Sequence, residues 1–216
     1  MENFKELVKE YVGIELNDKQ IEQFSTLANF LLETNKSINL TAIRDLEGVY
    51  MKHFLDSLTL LKAIPENAKN LVDIGSGAGF PGLPIAIARP DIQVTMVESI
   101  GKKVYFIERC IELLNLPNAN VINERAEKLS QTKKYNEKFD IATARAVTAL
   151  PELINLCIPF LNESGVMIAM KSENKEELEM AERVLIGEKL EIKEIIPISI
   201  PELNPRQLIV LGRIMN

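Results

Sequence analysis

Asp73-Ile74-Gly75-Ser76-Gly77-Ala78-Gly79-Phe80-Pro81-Gly82 decides how this chain is read. A short apolar run, Leu71-Val72-Asp73-Ile74, stops at these glycines. Helical spacing then follows through Leu83, Ile85, Ala86 and Ala88, and Arg89-Pro90 closes it. A strand-to-helix turn of this kind is where an open α/β sheet binds ligands, outside the carboxyl ends of its strands. Glycines let the backbone approach a ligand closely and take positive φ. A bare tight turn is the alternative, but four glycines in eight positions exceed what turn chemistry requires. Read from Gly75, the spacing is D-x-G-x-G-x-G. The nicotinamide fingerprint G-x-G-x-x-G would put its third glycine on Phe80.

Glu98 stands 25 residues after Asp73, at the end of the next strand candidate, Gln93 to Glu98. A carboxylate there can accept hydrogen bonds from two ribose hydroxyls and would repel a 2′-phosphate, which disfavours NADP. A solvated acid at a strand end is the plainer reading. Working outward, Lys102 to Leu114 reads as a helix, Asn120 to Asn123 as a third strand and Phe139 to Ala144 as a fourth. Leu150 to Phe160 is helical or partly so, Gly165 to Met170 a fifth strand, and Lys175 to Ile186 a charged amphipathic helix. Glu191 to Ile196 and Gln207 to Leu211 look like strands joined without a helix, so they pair antiparallel. The expected fold is α/β: a seven-stranded, mostly parallel sheet with a C-terminal antiparallel hairpin. It is not the six-stranded dinucleotide-binding arrangement.

Residues 1–64 read as an N-terminal helical cap, and residues 65–216 as the sheet domain. Asn17 or Asp18 is a plausible N-cap, followed by Ile21, Phe24, Leu27, Ala28, Leu31 and Leu32 at helical spacing. Asp45 is a candidate cap for a further helix through Val49, His53, Leu55, Leu58 and Leu61, which Pro65 ends. Between them, Asn39 to Arg44 is either a lid over the site or a simple helix-joining stretch.

The 216 residues are 46% hydrophobic and 26% charged, ordinary usage for one globular domain. Ten Gly, ten Pro and two Cys exclude collagen, low-complexity disorder and a disulfide scaffold. Cys110 and Cys157 form no C-x-x-C pair and suit a reducing compartment. His53 is the only histidine, so no zinc or iron–sulfur ligand set is expected. No apolar run approaches a membrane span, and Met1 to Glu10 has no signal-peptide core, so the chain reads as soluble and cytoplasmic. The net charge of −6 counts against nucleic acid unless a basic patch is local.

With its glycine loop and later acid, the segment from Asn70 to Arg213 resembles the class I, Rossmann-like S-adenosylmethionine-dependent methyltransferases. That resemblance implies that the backbone of Gly75, Ser76, Gly77 and Gly79 packs on the methionine and ribose of the cofactor, with Asp73 orienting the loop or the amino group. Phe80-Pro81-Gly82-Leu83-Pro84 is similar to the bacterial RsmG (GidB) family. So are Asn39-Leu40-Thr41-Ala42-Ile43-Arg44, His53-Phe54-Leu55-Asp56-Ser57-Leu58, Glu98-Ser99-Ile100-Gly101-Lys102-Lys103 and Thr143-Ala144-Arg145-Ala146. One departure is Lys171-Ser172, where Lys-Gly is expected. The resemblance implies methylation of guanine N7 in 16S ribosomal RNA, or in the assembled small subunit, by a monomer without metal. It also implies that Gly75, Phe80, Ala126, Glu127 and Arg145 contact the cofactor, S-adenosylmethionine, whose product is S-adenosylhomocysteine.

The residues suit that chemistry. Cytosine C5 methylation needs a cysteine nucleophile, and neither Cys110 nor Cys157 has a Pro-Cys context. The Asn/Asp-Pro-Pro-aromatic loop of exocyclic amine methylation is missing after the fourth strand. Guanine N7 has a free lone pair and no proton to remove, so in-line placement can supply most of the acceleration. Arg145 is the candidate positioning group. It can hold guanine O6, hold the cofactor carboxylate, or merely pair with an acid such as Glu127. Arg125, Lys128, Lys133, Lys134, Lys138, Lys171 and Arg206 are candidates for RNA phosphate, with Lys102 and Lys103 placed near Glu98; a solvated surface is the alternative for each. His53 is either a packing residue or an RNA contact. The rival functions are a methyltransferase for a metabolite or protein, a non-catalytic RNA-associated module and, more distantly, a nicotinamide oxidoreductase.

Overall fold

Asn70–Ile74 forms β1, and Leu71 to Ile74 are all buried, as a strand covered on both faces requires. The computed structural model describes residues 2–145, 148–201 and 203–214. The other strands are β2 (Gln93–Glu98), β3 (Ala119–Asn123), β4 (Phe139–Arg145), β5 (Leu161–Ser172), β6 (Leu190–Ile198) and β7 (Arg206–Arg213). They form one seven-stranded sheet in the order β3-β2-β1-β4-β5-β7-β6. The first five are parallel, and β7 pairs antiparallel with both β5 and β6. The chain order reverses between β1 and β4, so the ligand crevice of an open sheet belongs at the carboxyl ends of these two strands. Both the glycine turn and Arg145 sit there.

The helices are α1 (Glu2–Val12), α2 (Asp18–Asn35), α3 (Leu46–Gly48), α4 (Asp56–Leu58), α5 (Gly82–Ala88), α6 (Gly101–Leu114), α7 (Ala126–Leu129), α8 (Leu150–Cys157) and α9 (Lys175–Gly187). Asn17 caps α2 in a reciprocal capping box with Gln20. Asp45 accepts from Gly48 N at 2.7 Å, as its candidate cap role predicts. The segment beyond α3 departs from the single regular helix expected there. Val49–Leu55 winds as a π-helix, α4 comes next, and a 3₁₀ stretch, Thr59–Lys62, ends before Pro65. Lys52 and His53 from these π turns, and Asp56 at the start of α4, line the crevice. Phe54 stays in an aromatic cluster, 5.1 Å from Phe24 and 5.3 Å from Tyr50 between ring centres.

β5 runs well beyond the expected Gly165 to Met170. Its end pairs Lys171 with Gln207 and Ser172 with Arg206, and its start pairs Leu161 with Phe139 across a register shift. Gly165 sits at that irregularity, where a Cβ would meet the Phe139 carbonyl oxygen at 2.8 Å. One apolar cluster joins Phe24, Phe54 and Leu58 of the N-terminal helices to Leu71, Ile141, Ile168 and Leu208 of the sheet. A second packs Val72, Ile74, Ala142 and Ala144 against Leu153, Ile154 and Phe160 on the opposite face.

Candidate functional site: the crevice at β1 and β4

The glycine loop is built from the strand beside it. Gly75 N and Ser76 N donate to Val97 O at 2.9 and 3.1 Å, and the Ser76 hydroxyl donates to Asp73 O at 2.9 Å. Gly77 has φ 61°, and a Cβ there would meet nothing within 4 Å, so its position faces open space. Gly79 has φ 86°, and a Cβ there would lie 2.4 Å from Leu83 Cδ1, so only glycine lets α5 pack this close.

Two buried carboxylates hold the loop from either side. Glu98, 6% exposed, accepts from Gly77 N at 2.9 Å and from Ile100 N at 2.8 Å. Asp73 is fully buried; Oδ2 accepts from Gly82 N at 2.9 Å, and Oδ1 has no hydrogen-bond partner among the described residues. Burial pushes the Asp73 carboxyl up to about 7 against the opposing pull of Ser76 and Gly82. Asp73 therefore sits beneath the loop and does not line the crevice. Glu98 carries two backbone hydrogen bonds already, yet each carboxylate oxygen keeps acceptor capacity for a further donor.

Beside the loop lies a cleft of about 700 Å³, within the range of small-molecule sites. Of the residues singled out from sequence, Gly75, Ser76, Gly77, Phe80, Glu98, His53, Lys103, Arg145 and Arg206 line it. A smaller cleft of about 190 Å³ is lined by Arg125, Ala126 and Glu127, and it shares Gly75 and Glu98 with the first. Thr41, from the Asn39 to Arg44 lid candidate, lines the main cleft, and so do Lys52 and Asp56, which were not singled out for it. The family signature His53-Phe54-Leu55-Asp56 was the only sequence signal for Asp56.

Arg145 is not a surface ion pair with Glu127. Its NH1 donates to Asp56 Oδ2 at 2.9 Å and to Lys52 O at 3.0 Å, and its NH2 donates to His53 Nδ1 at 3.0 Å. The Arg145 and Asp56 side chains are 11% and 1% exposed. Since a guanidinium only donates, Nδ1 of His53 accepts and Nε2–H donates to Thr41 Oγ1 at 2.7 Å. Burial, then the Arg145 charge, pushes His53 down to about 3, so the ring is neutral. It stacks on Phe80 with centres 4.5 Å apart and planes 3° from parallel.

The Asn39 to Arg44 stretch is bolted from below. The Asn35 side chain, 2% exposed, donates to Thr41 O at 2.9 Å and Ile43 O at 3.2 Å and accepts from Leu40 N and Thr41 N at 2.8 and 3.0 Å.

Other candidates lie elsewhere. Lys171 pairs with Glu177 at 2.6 Å and donates to Thr148 O at 2.9 Å, tying β5 to the start of α8. Lys128 pairs with Glu124 at 2.6 Å on the surface. Lys133, Lys134 and Lys138 precede β4 and lie toward its amino end, away from the crevice. Lys102 is exposed on the first turn of α6 and does not line the cleft. Gly79 is buried against Leu83 and does not line the cleft.

The arrangement fits S-adenosylmethionine. A cleft with an open glycine position, an acid at the end of β2 and an adjoining recess at Ala126 and Glu127 can take a nucleoside and its polar tail. Solved structures share the fold. A ribosomal protein L11 methylase from Lactobacillus delbrueckii subsp. bulgaricus aligns with TM-score 0.58 and 16% identity over 76% of this chain and 79% of that one. A SAM-dependent methyltransferase from Aquifex aeolicus aligns with TM-score 0.57 and 14% identity over 76% and 92%. Sequence relatives say more. The ribosomal RNA small subunit methyltransferase G of Lactobacillus johnsonii is 40% identical over 97% of this chain and 89% of its own. That of Bacillus subtilis is 39% identical over 94% and 87%. The family model for GidB, rRNA small subunit methyltransferase G, matches residues 20–208, and the chain belongs to that family.

Proposed function

We propose that this protein transfers a methyl group from S-adenosylmethionine to N7 of a guanine in 16S ribosomal RNA. The observation that carries the reading is the meeting of two features in one cleft. One is the glycine loop held by Glu98; the other is a group of four cations, Lys52, Lys103, Arg145 and Arg206, which among the described residues share the cleft with two carboxylates, Asp56 and Glu98. An acidic chain thus concentrates positive charge where an RNA must enter.

Gly75 to Gly77 and Glu98 would hold the methionine and ribose parts, and Ala126 and Glu127 would flank the adenine. When bound, the cofactor supplies an electrophilic methyl: as the N7 lone pair forms the new C–N bond, the S–C bond breaks and its electron pair stays on sulfur. No proton moves, so the chain needs to orient and need not act as acid or base. Its groups suit that task. His53 is neutral with both nitrogens engaged, and three of the Arg145 donor contacts are already made within the protein. Arg145 is therefore a positioning residue. Cys110 and Cys157 are buried outside the cleft, and burial pushes both thiols up, so neither serves as a nucleophile.

Residues 1–64 act as a cap that contributes His53 and Asp56 to the domain formed by residues 65–216. Ribosomal RNA as substrate implies work in the cytoplasm, and among the described residues no helix is long and apolar enough to cross a membrane. A single-turnover incubation with methyl-labelled cofactor and small-subunit RNA tests the reading. Label in 7-methylguanosine, with turnover falling steeply as salt rises, supports it; label in a protein or small metabolite alone refutes it.

A further inference from the structure

Asp56 meets two guanidinium groups from opposite sides of β5. Arg145 on β4 pairs in register with Met170, and Arg206 on β7 pairs with Ser172, two residues further along the same strand. Side chains two apart on a strand share a face, so both arginines rise on the face covered by the N-terminal helices. Asp56 projects from that cover, 1% exposed. Its Oδ2 takes the 2.9 Å hydrogen bond from Arg145. Its Oδ1 lies 3.0 Å from Arg206 Nε, at ion-pair distance but without hydrogen-bond alignment, and has no hydrogen-bond partner among the described residues.

The two arginines are not equivalent. Arg145 is tied down at Asp56, Lys52 O and His53, whereas Arg206 touches Asp56 through Nε and its side chain is 33% exposed in the cleft. A guanidinium held at Nε leaves its two terminal nitrogens as a fork. N7 is the nucleophile, so the usual two-pronged contact of arginine with guanine O6 and N7 is closed to this fork. A phosphate offers two equivalent oxygens at the same spacing.

We infer that Asp56 is a positioning residue: it holds Arg206 by Nε so that the terminal nitrogens of that guanidinium grip a phosphate of the RNA substrate. The inference rests on the RNA-methyltransferase reading of the same cleft.

The test is a double-mutant cycle with Asp56→Asn, Arg206→Gln and both together, plus Arg206→Lys. kcat/KM on small-subunit RNA is measured across salt concentrations, and S-adenosylhomocysteine affinity is measured for each variant. Each single variant of the cycle should lose about 10- to 100-fold in kcat/KM, mainly through KM. Each should also flatten the log–log salt slope by about one. The double variant should lose clearly less than the product of the two single losses, because Asp56 acts on RNA through Arg206; any loss beyond that of Arg206→Gln is the share of the Asp56–Arg145 pair. Arg206→Lys should fail as Arg206→Gln does. Additive losses in the double variant, an unchanged salt slope, or near-normal activity of Arg206→Lys would overturn the inference. If Asp56→Asn loses cofactor affinity, the Lys and Gln variants decide alone, since both leave the Asp56–Arg145 pair intact. A wild-type protein that methylates no RNA would instead sink the proposed function.

Discussion

The Glu98 carboxylate, at the end of β2, accepts from the Gly77 amide at the tip of the loop after β1, 2.9 Å away. One side chain thus fixes the backbone proposed to receive the cofactor. Glu98→Ala should weaken S-adenosylhomocysteine by about 1.5–3 kcal/mol, the worth of a hydrogen bond to a charged group. Glu98→Gln, which keeps an acceptor, should fall between the two. Calorimetric titration checks this, and unchanged affinity in both variants would count against the role.

Gly77→Asp should abolish cofactor binding while the fold persists. A Cβ at Gly77 meets no neighbour, so nothing is displaced. The damage comes from a side chain at φ 61° and a second negative charge beside Glu98. Circular dichroism should match wild type, and calorimetry should show no binding.

Asn35→Ala should cost about 1–3 kcal/mol of stability, because it strands the Leu40 and Thr41 amides and two carbonyls. Urea denaturation gives the loss. Hydrogen exchange should quicken at Leu40 and Thr41 before it quickens in α2.

The pH dependence of stability should carry two opposed contributions. His53 is held near 3 when folded and titrates near 6.5 when unfolded, so the unfolded chain binds the extra proton in between. Its contribution is complete above about 6.5 and is lost as pH falls toward 3. Asp73 is raised to about 7 from 3.8, so the folded chain keeps the extra proton in that window. Its contribution is present below 3.8 and is lost as pH rises through 7. In urea melts across this range, His53→Gln should flatten the acid limb and Asp73→Asn should flatten the decline toward pH 7. A His53→Gln profile parallel to wild type would show that His53 is not buried neutral.

Much of this was legible in the residues. Strand boundaries such as Gln93–Glu98 could be read because apolar runs end at glycine, acid or proline, and the glycine loop could be read because its spacing is local. The π turns of Val49–Leu55 could not, because apolar spacing at three and four residues does not distinguish them from an α-helix. The Asp56 cluster was out of reach because its partners stand 89 and 150 residues away in sequence, and only the sheet order brings them together. Lys171 read as a phosphate contact because charge is visible in a sequence, whereas its partly buried partner Glu177 depends on how α9 packs beside α8.

Mapping 7-methylguanosine in the ribosomal RNA of cells lacking this protein tests the central claim most directly. One guanine of the small-subunit RNA should lose its N7 methyl, regain it when the wild-type chain is returned, and stay unmethylated with the Gly77→Asp chain. A methylation map identical with and without the protein would contradict the account.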